Sequence, residues 1–348
     1  MILAVAGLIV WHAGLKLARY AKGIADQIGL SKVIAGALLL GAATSLPEIV
    51  TTMTASALGN APLAVNNLFG GVAMQLAVLA IIDWQRVPGR PLTFFSPNPV
   101  LLLAGVLLIL QIALAILAIT AGDVNAVGHL GYWPPLLVVF YGLSLYYLDR
   151  FNSLDTWKAQ QTPEPSPEDE ADNAVASAAD NQHTQQESSL TKLSLGFAFF
   201  CLITLLGGGA VSASADALAE QTMIGSSFVG ATLVALTTSL PELSTTAGSI
   251  RLGAYTMAIA NIFGTNTLEI ALLFPADLAY VEGPVMNAVD QSALLMGSLG
   301  IVMTSLYLWG LLERRDRSFL GMGIDSVWVL AAYLFGLSVL YLQSGGAK

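Results

Sequence analysis

Residues 44–48 read Thr-Ser-Leu-Pro-Glu, and the same five residues return at 238–242. The offset of 194 residues holds without a gap over some forty positions. Gly36 matches Gly230, Thr51 matches Thr245, Gly59 matches Gly253, Asn67 matches Asn261 and Gly70 matches Gly264. Each copy sets a glutamate directly after a proline inside an apolar stretch. A carboxylate in such surroundings is expensive, so two at matched positions point to a cation site.

The apolar character is not local. The chain of 348 residues is 55% hydrophobic and only 11% charged, with a mean hydropathy of +0.70. A soluble domain carries roughly 25% charged residues. Apolar runs of about twenty residues match the ~30 Å of a bilayer core. The reading is an all-α membrane protein with ten spans, near 1–19, 31–57, 62–83, 97–120, 132–149, 192–213, 225–249, 255–280, 290–312 and 324–344. Residues 1–149 form a first half and 191–348 a second. Between them, 150–190 is acidic, rich in Pro, Ser and Gln and without apolar periodicity, which predicts a disordered tether. Nine acids fall between Asp149 and Glu187, so most of the net charge of −9 lies there and the rest of the chain is nearly balanced. Cys201 is the only cysteine, so no intramolecular disulfide can form.

The basic residues sort by loop. Lys16, Arg19, Lys22 and Lys32 flank the first, Arg86 and Arg90 fall in the third, and Arg150, Lys158 and Lys192 in the fifth. Arg251 lies in the seventh, and Arg314, Arg315 and Arg317 in the ninth. The positive-inside rule makes that side cytoplasmic, with the linker inside and both termini outside. Five spans per half is an odd number, so the second half enters upside down, as in inverted-repeat transporters.

Within each repeat, Pro47 and Pro241 break their helices and free carbonyls about one turn upstream. Unpaired carbonyls at membrane depth are tolerable only where they line a cavity or a ligand. Thr44, Ser45 and Glu48 in one copy, with Thr238, Ser239 and Glu242 in the other, add hydroxyl and carboxylate oxygens. An all-oxygen set suits a hard cation such as Ca²⁺, which takes roughly six to eight oxygens. The following span carries Asn261, Thr265 and Glu269 four residues apart on one stripe. The first copy offers Asn67, Gly71 and Gln75 there, so it lacks a hydroxyl and a carboxylate. Each buried acid costs about 2.5–3.5 kcal/mol at helix centre. Three together need cations or protons to neutralise them, and a divalent ion or several monovalent ions can do so in turn.

The paired Thr-Ser-Leu-Pro-Glu segments, each followed by Ala-x-x-Asn-x-x-Gly, resemble the alpha repeats of the calcium/cation antiporter superfamily, most closely its sodium/calcium exchanger branch. The resemblance spans 30–82 and 224–276. It implies that Glu48 and Glu242 bind the divalent ion directly, with carbonyl or hydroxyl ligands at Thr44, Ser45, Thr238 and Ser239. The family's later stripe reads Gly-Ser-Asn-x-x-Asn or Asp. Thr265 and Glu269 fit it, whereas Gly71 and Gln75 depart from it. The proton-coupled branch's Gly-Asn-Ala-x-Glu is absent, which favours sodium over protons.

The expectation is therefore a secondary antiporter exchanging Ca²⁺ or a related divalent for Na⁺ in the cytoplasmic membrane. A proton-coupled exchanger on the same scaffold and a passive cation channel are the alternatives. The ligands expected are the transported cations and the lipid bilayer; no further cofactor, nucleic acid or protein partner is expected. No His-Glu-x-x-His occurs and the histidines avoid the glutamate-bearing spans, so no enzymatic role is expected.

Overall fold

A computed structural model describes residues 2–86, 91–96, 98–152, 189–222, 232, 235–313, 318–319 and 321–343. Side chains of 2–4, 85–86, 152, 211–222 and 318 lie outside that description, as do the linker over 153–188, Arg90, Lys158, Gly230 and Arg314, Arg315 and Arg317.

The described chain is almost entirely helical. Six helices are long and apolar enough to cross a membrane: Ala61–Trp84, Pro99–Ala121, Leu190–Ala210, Tyr255–Ala279, Gln291–Glu313 and Ile324–Gln343. A seventh span would come from Lys32–Thr44 and Leu46–Ala57, which meet at 47°. Ten spans were expected. Ile2–Ile28 and Trp133–Asn152 are helices of 27 and 20 residues outside that set. The first bears Lys16, Arg19 and Lys22, and the second opens on Trp-Pro-Pro and carries Tyr141, Tyr146 and Tyr147. Both are long enough to span, but their composition is more amphipathic. The expected span at 225–249 lies partly outside the described residues.

The two Pro-bearing helices are built alike. Leu46–Ala57 and Leu240–Arg251 each have twelve residues, with proline in the first turn. Ser45 (φ −75°, ψ 0°) and Ser239 (φ −77°, ψ 0°) form the breaks that precede them. Neither proline can donate to the carbonyl four residues earlier, Ala43 or Thr237. Both helices end the same way. Gly59 (φ 77°) and Gly253 (φ 66°) adopt the left-handed conformation. Asn60 N then bonds Ala55 O and Ala254 N bonds Ser249 O, each at 2.9 Å. This six-to-one closure needs a residue without a Cβ at the turn. The next helices start at Ala61 and Tyr255, again 194 apart.

Ahead of the first break, Ala35–Leu40 is wound as a π-helix, a form met at functional sites. It crosses Tyr255–Ala271 at close range. A Cβ on Gly36 would stand 2.5 Å from Met257 O and 2.8 Å from Asn261 N, and one on Gly264 would run into Ala37. Gly264→Ala should push these helices apart and cost about 1–3 kcal/mol, as overpacking does. Thermal unfolding in detergent reads this, and an unchanged melting temperature would show that the crossing yields.

Two short antiparallel hairpins are the departure from an all-helical expectation. Asn125–Val127 pairs with Leu130–Gly131, and Ser318–Phe319 pairs with Met322–Gly323. Gly128 (φ 62°) and Gly321 (φ 84°) make the turns. Each hairpin is tied to a buried aspartate at the far end of the helices that start at 61 and 255. Asp83 accepts from Leu92 N (2.6 Å), Gly323 N (2.9 Å) and Ser326 Oγ (2.7 Å). Asp277 accepts from Val285 N (2.7 Å) and Gly131 N (2.8 Å). Asp83 and Asp277 are again 194 residues apart.

Candidate functional site: a buried carboxylate cage

Glu48, Glu242 and Glu269 are all buried, at 1%, 0% and 0% exposure. They lie close enough for each to feel the charge of the others. Among the described residues no basic side chain neighbours them. Glu48 and Glu242 carry four carboxylate oxygens, none of which accepts a well-directed hydrogen bond. The Thr238 hydroxyl lies beside Glu48, and the Thr44 hydroxyl lies beside Glu242. Each of these contacts is the image of the other under the 194-residue shift. Each Pro-Glu segment therefore lies beside the threonine of the other copy.

The hydroxyl oxygens keep lone pairs available. Thr44 Oγ1 donates back to Leu40 O (2.9 Å), and Ser45 Oγ to Gly41 O (2.8 Å). Thr238 Oγ1 reaches Ala235 O at 3.3 Å. With their protons turned to the preceding turn, these oxygens can still act as acceptors or ligands. Ser239 Oγ and Thr265 Oγ1 are buried with no hydrogen-bond partner.

The stripe residues split into anchors and free ends. Asn67 Nδ2 donates to Thr52 Oγ1 (3.2 Å), and Asn261 Nδ2 to Thr246 Oγ1 (3.1 Å) and Thr245 Oγ1 (3.0 Å). In both, the amide nitrogen is fixed while Oδ1 stays buried and unpartnered. Thr52 and Thr246 hold the asparagines in register, a role that sequence reasoning missed. Their matched positions, 194 apart, were the available signal.

Gln75 and Glu269 are matched residues, and they meet. Gln75 Nε2 donates to Glu269 Oε1. One turn earlier, Asn266 Nδ2 donates to Val72 O at 3.4 Å, and 72 and 266 are also matched. Two pairs of matched residues thus meet across the molecule. Gly71 leaves open the space that the Glu269 carboxylate fills. Thr265 Oγ1 packs against Gly41, one turn before Thr44 and Ser45.

Every site residue predicted from sequence is buried, and contacts join Glu48 to Thr238, Glu242 to Thr44, Gln75 and Gly71 to Glu269, and Gly41 to Thr265. Among the described residues no three His, Cys, Asp or Glu side chains converge as a self-sufficient metal cluster. The arrangement is instead two facing carboxylates, neutral oxygens around them and a third acid to one side. Buried oxygens without hydrogen-bond partners and without a neighbouring base have the chemistry that suits a cation.

The chain is similar to proteins of known family and structure. The sequence profile of the family described as sodium/calcium exchanger protein matches residues 1–148 and 192–342. CaxA of Alkalimonas amylolytica, which bears an antiporter name, is 24% identical over 315 residues, 89% of this chain and 90% of its own. Inner membrane protein YrbG of Escherichia coli (strain K12) is 24% identical over 355 residues, 99% of this chain and 97% of its own. The solved sodium-calcium exchanger NCX_Mj, soaked with 10 mM Na⁺ and zero Ca²⁺, superposes with a TM-score of 0.67. That match has 19% identity and covers 98% of this chain and 100% of that one. With the profile matching most of both halves, this chain, an integral membrane protein, belongs to the sodium/calcium exchanger protein family.

Proposed function

We propose that this chain is a secondary active antiporter that exchanges Ca²⁺, or a related divalent cation, for Na⁺ by alternating access. The observation that carries the reading is reciprocal: Glu48 lies beside Thr238 while Glu242 lies beside Thr44, with all four carboxylate oxygens unpartnered. Glu48, Glu242, Thr44, Ser45, Thr238 and Ser239 hold the divalent ion, helped by carbonyls at the two proline breaks. Glu269 and Thr265 serve monovalent ions, and Asn67 and Asn261 turn their amide oxygens to the same cage. Gln75 and Gly71 take part only through Glu269.

The halves are two inverted five-helix repeats. The contacts between residues 72 and 266 and between 75 and 269 support a two-fold axis through the cage. Inversion gives the cycle its logic, since one half can take the other's conformation and open the cage to the opposite side. A filled cage is neutralised and can switch sides. An empty one keeps buried charge and resists, so ions exchange rather than leak. The basic odd loops support cytoplasmic placement of the linker and outward termini. The names of relatives add weight: NCX_Mj is a sodium-calcium exchanger, studied with Na⁺, Ca²⁺ and Sr²⁺.

The test is ⁴⁵Ca²⁺ uptake by proteoliposomes loaded with Na⁺. Uptake against the Ca²⁺ gradient is expected when Na⁺ flows out, with no response to a pH gradient alone. Uphill uptake driven by pH alone would move the protein to proton coupling, and strictly downhill flux would make it a channel.

A further inference from the structure

The two stripes beside the central carboxylates are unequally furnished. The second copy presents the Thr265 hydroxyl and the Glu269 carboxylate, whereas the matched first-copy residues are Gly71 and Gln75. A two-fold frame offers two equivalent flanking positions, yet oxygen ligands with charge are supplied at one. The geometry around position 71 explains how the other is closed. A Cβ there would stand 2.7 Å from Glu269 Oε2 and 2.9 Å from Glu269 Oε1. Both distances are too short for a real side chain, so the Glu269 carboxylate already occupies the seat of residue 71. The Gln75 amide is also committed, because its nitrogen donates to Glu269 Oε1. Glu269 thus reaches to the first-copy stripe and takes up the space beside Gly71 while holding the Gln75 amide. Its Oε2 and the Thr265 Oγ1 remain buried and unpartnered, which leaves one flanking position, on the second-copy side.

We propose that Gly71 and Glu269 form a size-matched pair that closes one of two symmetry-related monovalent-cation positions. The chain consequently moves one monovalent ion fewer per divalent ion than a chain furnished alike on both sides. This inference rests on the exchange reading above and adds a determinant of its stoichiometry. Gly71 touches no transported ion; it acts by admitting the carboxylate.

The experiment measures Na⁺-driven Ca²⁺ uptake and the charge moved per Ca²⁺, from reversal potentials in proteoliposomes. Wild type, Gly71→Ala, Glu269→Asp, Gly71→Ala/Glu269→Asp and Gly71→Ser/Glu269→Asp are compared. Gly71→Ala must displace the carboxylate from its seat, and uptake should fall about tenfold. Glu269→Asp withdraws the carboxylate by one methylene, so the double variant should lose markedly less than the two single changes multiplied together, a coupling that independent residues do not show. Gly71→Ser/Glu269→Asp supplies a hydroxyl on the first-copy side with space around it. The Na⁺ Hill coefficient and the charge moved per Ca²⁺ should each rise by one. Wild-type behaviour of Gly71→Ala, independent effects of Gly71→Ala and Glu269→Asp, or an unchanged charge count in the serine variant would each overturn the proposal. Absence of sodium-driven uptake in the wild type would instead overturn the exchange reading, and this inference with it.

Discussion

Glu48→Gln and Glu242→Gln will each abolish exchange and lower Ca²⁺ affinity by more than about 100-fold. Loss of an outer hydrogen-bonding partner of a metal ligand already costs about 10–100-fold. These glutamates are the charged oxygens themselves, with no basic residue nearby to compensate. The reciprocal geometry makes the two losses alike: each carboxylate lies beside the other half's threonine, so neither half can supply the site alone. The same substitutions should make the ion-free protein more resistant to heat. Glutamine keeps the shape of glutamate but is neutral without taking up a proton or a cation, so one of three mutually repelling buried acids no longer has to be neutralised. Binding to the native state alone stabilises a protein by about 2.7 kcal/mol at a hundred times Kd. Wild type should therefore melt higher in Ca²⁺, whereas the variants should start higher and respond little. Thermal melting in detergent, with and without Ca²⁺ and at several Na⁺ concentrations, separates these effects. A variant that keeps its Ca²⁺-dependent shift would remove that glutamate from the site.

The sequence made this cage legible because its constraints are covalent and local. Proline breaks a helix wherever it stands, and Pro47 and Pro241 do so at Ser45 and Ser239 with nearly identical dihedral angles. The duplicated Gly59 and Gly253 end two helices of equal length by one device. Burial of Glu48 and Glu242 followed from their apolar surroundings, and their approach followed from the repeat. What the sequence withheld depends on contacts across the molecule. The threonines that orient Asn67 and Asn261 look like ordinary polar residues until the fold sets them opposite the amides. The seating of Glu269 at Gly71 needs the distance between two helices, which no spacing within either one encodes. Even the count of spans is blurred, because the tyrosines of Trp133–Asn152 and the lysines of Ile2–Ile28 lower the apolarity of helices long enough to cross. Asp83 and Asp277 were legible in principle, since they keep the 194-residue offset beyond the Asn-bearing stripes. The hairpins they hold were not, because a strand of two or three residues leaves no periodic pattern.

Those aspartates lead to the second large effect. Asp83→Ala should destabilise the protein by about 3–9 kcal/mol and Asp277→Ala by about 2–6 kcal/mol, because every buried donor left unpaired costs about 1–3 kcal/mol. Asp83 satisfies two backbone amides and the Ser326 hydroxyl; Asp277 satisfies two backbone amides. Both are almost fully buried, at 2% and 0% exposure, so water is poorly placed to substitute. Each joins the end of a cage-bearing helix in one half to a hairpin in the other, Asp83 to the hairpin after Gln291–Glu313 and Asp277 to the hairpin after Pro99–Ala121, and the loss should be felt as loosening between the halves. Asn replacements should retain part of the stability. One amide oxygen can still accept, but the amide nitrogen would confront a second donor. Neither residue lines the carboxylate cage, so Ca²⁺ affinity per folded molecule should stay within about threefold of wild type, in the range of distant, independent sites. Thermal unfolding paired with Ca²⁺ titration of the folded fraction separates the two roles. Full stability with a lost Ca²⁺ response would recast either aspartate as part of the ion path rather than a clasp that holds the halves together.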